Sequence, residues 1–136
     1  MTARHVLHHL VSDSAAGTRA LQRRGIAEML RLTRPGGFLV FQEQVHYVRP
    51  LSRSVYYLSR FANRHGLRLR LFEAGKVVVS FMTPREIGDD VEAAGRELPL
   101  VVEAYSDVPR QVALKWKLTL LMANVGDVVY AIRRQA

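Results

Sequence analysis

Apolar residues recur at two different periods along this chain, and the change from one to the other marks its elements. Residues 14–34, "SAAGTRALQRRGIAEMLRLTR", place Leu21, Ile26, Met29, Leu30 and Leu32 on a stripe of helical period, with Arg19, Arg23, Arg24 and Arg31 largely off it. That spacing predicts an amphipathic helix. The helix should stop at "RPGG", because Pro35 disfavours helical geometry at Arg34 and Gly36 and Gly37 accept the positive φ of a tight turn. "FLVFQEQV", Phe38 to Val45, opens with a continuous apolar run and then turns polar. The run predicts a strand covered on both faces, and its polar end, Gln42 to Gln44, is the carboxyl edge where open parallel α/β sheets bind ligands.

Residues 51–64 predict a second amphipathic helix, with Leu51, Val55, Leu58, Phe61 and Ala62 inward and Arg53, Arg60 and Arg64 outward. "LRLRLF" (67–72) alternates with period two and "KVVVSFM" (76–82) is extended, so the pair predicts a hairpin turning at 73–75. "TPREIGDDVEAAG" carries Thr83 as cap, Pro84 at the first helical position and Glu86 three residues after the cap, which predicts a helix from Pro84 to about Ala94. "LPLVVEAY" (98–105) and "DVVYAIRR" (127–134) are strand-like, and the apolar segment from Trp116 to Met122 suggests a short connecting helix with Trp116 in the core. The order is alternating α/β with about three main strands and a stub before His5.

At 136 residues and 49% hydrophobic content, the chain suits one ordered domain or part of one. It has no cysteine, no uninterrupted apolar run near spanning length and no signal-peptide pattern, which points to the cytoplasm. The net charge of +8 is concentrated early. Residues 1–72 carry 12 Arg against Asp13, Glu28 and Glu43, or +9, while residues 73–136 carry 8 basic and 9 acidic groups, or −1.

"VLHHL", then "IAEMLRLTRPGGFLVFQE", then a unit ending "GDVVYAIRR" closely resemble the C-terminal half of class I S-adenosylmethionine-dependent methyltransferases. The resemblance is strong over residues 4–45 and moderate over 83–136. It implies the fifth, sixth and antiparallel seventh strands of a seven-stranded Rossmann-like sheet, with residues 46–82 as a substrate-covering helix-plus-hairpin insertion. No GxGxG occurs in the chain, and no acidic residue ends a second strand. The cofactor-binding half therefore has no counterpart here, and the resemblance implies that residues 1–136 are a partial methyltransferase domain. A late start or fragment, a degenerate remnant, and a half completed by another chain are the three explanations.

His5, His8 and His9 stand at i, i+3 and i+4, a spacing that could present one helix face to a metal, but no carboxylate is in register and the resemblance accounts for "LHHL" otherwise. No metal is expected. The resemblance implies that Arg4 and His5 border S-adenosylmethionine and that His8 or His9 lies near the substrate. Methyl transfer is an in-line displacement, so a base is needed only where a small-molecule acceptor loses a proton; His8, His9 and Glu43 are the candidates. Tyr47, Tyr56 and Tyr57, with Arg49 and Arg53, would shape an aromatic, anion-binding pocket in the insertion. The competing readings are an arginine-rich module for nucleic acid or an anionic membrane surface, and a protein that completes a partner's sheet. No nucleic-acid motif supports the former, and aromatics do not interleave with the basic residues of 14–34.

Overall fold

A computed structural model of the chain describes residues 1–67, 77–112 and 124–136. The first long helix, α1 (Ala15–Leu32), begins where the Ser14 hydroxyl accepts the Gly17 N–H. It buries Thr18, Gln22, Ile26 and Leu30, four residues apart, while Leu21 and Leu32 of the predicted stripe are exposed. The two polar members of that row are affordable inside because they are satisfied: Thr18 Oγ1 accepts from the Ser12 N–H, and the Gln22 amide donates to two carbonyls. Gly36, at φ 73°, makes the turn into the next strand, and its N–H donates to the Arg134 carbonyl.

Four strands form one mixed sheet: β1 (Thr2–Arg4), β2 (Phe38–His46), β3 (Leu100–Pro109) and β4 (Val125–Arg134), in the order β1-β2-β4-β3. β1 is parallel to β2, and β4 lies antiparallel between β2 and β3. The carboxyl ends of β1, β2 and β3 thus share one edge with the start of β4. The α/β class agrees with expectation; among the described residues the sheet has four strands rather than the seven of a complete methyltransferase sheet.

The apolar run of β2 does not mean cover on both faces. Leu39 and Phe41 are fully buried, but Phe38 and Val40 are 47% and 38% exposed, because the described helices lie on one side only. The covered face joins Leu39, Phe41, Val128, Tyr130 and Ile132 with Ile26 and Leu30 of α1 and with Ile87 and Val91 of α3 (Pro84–Gly95). Arg19 clamps α1 to α3 by bidentate contacts to Asp90 at 2.5 and 2.8 Å. The capping box of α3 forms as its sequence predicts.

The second helix, α2 (Arg49–Arg64), starts two residues early behind the N-cap Val48. Its inward face is Ser52, Val55, Tyr56, Ser59 and Ala62, while Leu58 and Phe61, expected inside, face out. The serines occupy the interior because their hydroxyls meet backbone carbonyls, Ser52 donating to that of Phe81 and Ser59 to that of Tyr56. Of the predicted hairpin, residues 68–76 lie outside the described residues, and 77–81 make no strand ladder; Met82 forms an isolated parallel bridge to Val45. The helix expected between Trp116 and Met122, with the core placement of Trp116, also lies outside them.

Candidate functional site

At the carboxyl edge, β1 ends on Arg4 and the chain turns at His5, whose φ of 53° is the one positive value outside glycine among the described residues. The His5 N–H donates to the Gln42 carbonyl at 2.9 Å, so the turn is fixed to the neighbouring strand. It throws a 3-10 turn, Leu7–His9, across the end of β2. Leu7 plugs into the core, and a side chain at Gly25 on α1 would meet Leu10 Cδ1 at 2.7 Å, so glycine there admits the close approach of this loop.

Glu43 rises to meet the turn from β2. Period-two alternation puts it on the covered face with Leu39, Phe41 and Val45, and it is only 2% exposed. Burial of a carboxylate demands partners, and three N–H donors supply them. Leu7 N–H donates to Oε2 at 2.7 Å, and Gln44 N–H to Oε1 at 3.1 Å. The His8 Nδ1 lies 2.5 Å from Oε1. With Leu7 N–H and Gln44 N–H already donating to this carboxylate, His8 Nδ1 is assigned as its third donor. That leaves His8 Nε2 with a free lone pair.

His8 is held from three further directions. Its ring lies 4.1 Å from that of His9 and 5.5 Å from that of Phe81. Its carbonyl accepts from Ser80 N–H at 3.0 Å. Gln22, fully buried, donates to both the Leu7 carbonyl at 3.2 Å and the Ser80 carbonyl at 2.7 Å, tying the histidine turn to the segment before α3. Partial burial, followed by the neighbouring His8, lowers the His9 pKa below the usual imidazole value, against the opposing pull of Glu43.

The sequence-predicted residues divide. His8, His9 and Glu43 come together, and the His5 ring stands 6.3 Å from that of His8. Arg4 turns toward the open face of the sheet, where its Nε donates to Gln42 Oε1 at 3.1 Å. The five insertion residues do not form one pocket. Tyr47 reaches toward β3 and donates to Asp107, which also accepts from Tyr105, and burial and then this bond push the Tyr47 pKa far up. Arg49 pairs with Glu86 at 3.1 Å, and Tyr56 is buried with its hydroxyl on the Ser12 carbonyl. Tyr57 and Arg53 face outward. A helix rotates about 100° per residue, so adjacent tyrosines could not both face one pocket.

Sequence reasoning missed Gln22, Ser80 and His46. His46 is fully buried at the end of β2, and its Nδ1 accepts from Val48 N–H at 3.1 Å. The signal for Gln22 was present: an amide standing on the buried face of α1 four residues before Ile26 needs a buried partner.

No protein-family profile matches the chain, and no curated protein matches it in sequence. Among solved structures it is similar to the [4+2]-cyclase SpnF at 13% identity and a TM-score of 0.57, over 99% of this chain and 48% of that one. The chain thus spans about half the length of the SpnF chain. At that identity the likeness concerns the fold alone: this is a methyltransferase-like α/β fold.

Proposed function

We propose that this chain is the acceptor-side half of a class I S-adenosylmethionine-dependent methyltransferase domain that transfers a methyl group to a small molecule. The observation that carries the reading is the buried His8–Glu43 pair at the carboxyl edge of parallel strands. On this reading β1, β2, β3 and β4 stand as the fourth, fifth, sixth and antiparallel seventh strands. The strand order β1-β2-β4-β3 supports that assignment, as does the sheet face left bare at Phe38 and Val40.

The residues present do not fit the cofactor. Both strand-to-helix connections at the carboxyl edge, residues 5–14 and 47–48, contain no glycine, and the Gly17 N–H at the start of α1 is already taken by Ser14. Close backbone approach to a ligand at such a turn calls for glycine. Cofactor binding therefore belongs to elements outside these residues, with Arg4 and His5 at most bordering it. What this chain supplies is proton handling and positioning. His8 Nε2 accepts the proton that an acceptor hydroxyl or amine loses, and Glu43 holds the ring in the required tautomer and stabilises the imidazolium. Glu43, with its oxygens occupied, is a positioning residue. His9, whose pKa burial and then His8 lower, serves as a second wall. Tyr47, Arg49 and Tyr56 shape the support of the covering helix.

The test joins the chain to whatever the adjoining upstream reading frame encodes. The expected product has a strand followed by GxGxG, binds S-adenosylmethionine and methylates a small molecule. His8→Gln should then keep cofactor binding and lose methyl transfer by about a hundredfold or more. An in-frame stop immediately before Met1, or a His8→Gln variant of full activity, would overturn the reading.

A further inference from the structure

Helix α2 has three differently built faces. The face toward the protein is Ser52, Val55, Tyr56, Ser59 and Ala62. At about 100° per residue, the pole opposite is Tyr57 and Phe61, with Leu58 roughly 60° further round from Phe61; these three are 57%, 53% and 42% exposed. Leu67, just beyond the helix, is exposed as well. Between the two faces runs a ridge of Arg49, Arg53, Arg60 and Arg64, which fall within an arc of roughly 60°. The helix contains no acidic residue.

Partners taken from elsewhere neutralise only part of the ridge. Arg49 pairs with Glu86, and Arg60 with the fully exposed Asp13. Arg53 and Arg64 are exposed and have no acidic partner among the described residues. Arg60 and Arg64 also line a cleft of about 550 Å³ against Ser12 and Asp13, large enough for a phosphate group. No described helix is long and apolar enough to cross a membrane.

We infer that α2 seats the protein on an anionic membrane surface, with Tyr57, Leu58 and Phe61 entering the headgroup boundary and Arg53 and Arg64 pairing with lipid phosphates. An outward pole of aromatic and aliphatic side chains, flanked by arginine and free of acid, is the pattern of a helix lying in the interface plane. Charge complementarity selects the anionic lipid. The aliphatic Leu58 and Leu67 beside the aromatics favour acyl chains over stacked bases, which take aromatic faces. The inference stands apart from the methyl-transfer reading, since it needs neither cofactor nor acceptor.

Vesicle flotation of the 136-residue chain tests it. Binding is expected to vesicles of phosphatidylcholine with about one-third phosphatidylglycerol, and not to pure phosphatidylcholine, with weakening as salt rises. Arg53→Gln with Arg64→Gln should weaken partitioning about tenfold or more, and Phe61→Ser with Tyr57→Ser should do the same at low salt. All four side chains are exposed, and circular dichroism checks that the variants keep the fold. Equal binding to neutral vesicles, no binding to anionic ones at low salt, unchanged partitioning of folded variants, or capture of single-stranded oligonucleotide in place of vesicles would overturn it.

Discussion

Glu43 takes hydrogen bonds from Leu7 N–H, Gln44 N–H and the His8 ring, so substituting it strands three donors in a buried place. Glu43→Leu should cost about 2–3 kcal/mol, read from denaturant unfolding. His9 offers a finer probe. Burial and then His8 hold its pKa below 6.5, while Glu43 raises it. In NMR titrations Glu43→Gln should therefore lower the His9 pKa further, and His8→Gln should raise it. The linkage sign follows from the depressed folded value: as pH falls through about 6.5 the unfolded chain takes up the proton first, so this residue's share of stability is complete above that pH and lost below it. The histidines and Glu43 were legible in the sequence as candidates. Their union was not, because which side chain a 3-10 turn aims at a strand depends on the strained His5 backbone, which no local pattern of residue types specifies.

Among the elements, α3 was the most legible because its start rests on local chemistry. Thr83 and Glu86 satisfy each other's backbone groups without help from the rest of the fold, and Thr83→Ala should cost about 1 kcal/mol in thermal or denaturant unfolding. Helix α2 was the least legible. Its existence followed from period, but its inward face did not, since serines satisfied by backbone carbonyls replaced Leu58 and Phe61 there. For α1 the same substitution of hydrogen bonding for apolarity explains why Gln22 is inside and Leu21 out. The link between α1 and α3 is a long-range contact. Arg19 and Asp90 are separated by 71 positions and form a bidentate pair, with Asp90 buried. Arg19→Met leaves that carboxylate without its cation and should destabilise the chain by about 2–3 kcal/mol; adding Asp90→Leu should restore much of the loss.

At the scale of the molecule, the described helices cover one side of the sheet, and Phe38, Val40 and Val108 are exposed. A strand as apolar as "FLVF" reads from sequence as doubly covered, and that expectation is intelligible if its second cover lies in the other half of a methyltransferase-like domain. The α/β class was legible from the alternating periods, whereas the order in which the strands pair rests on contacts between distant segments, which local patterns do not mark. The central claim is that these residues carry the acceptor side and the His8–Glu43 pair, and that the cofactor is held elsewhere. Calorimetric titration of S-adenosylmethionine into the 136-residue chain tests it most directly: the account predicts no micromolar binding, and a saturable micromolar isotherm with the chain alone would contradict it.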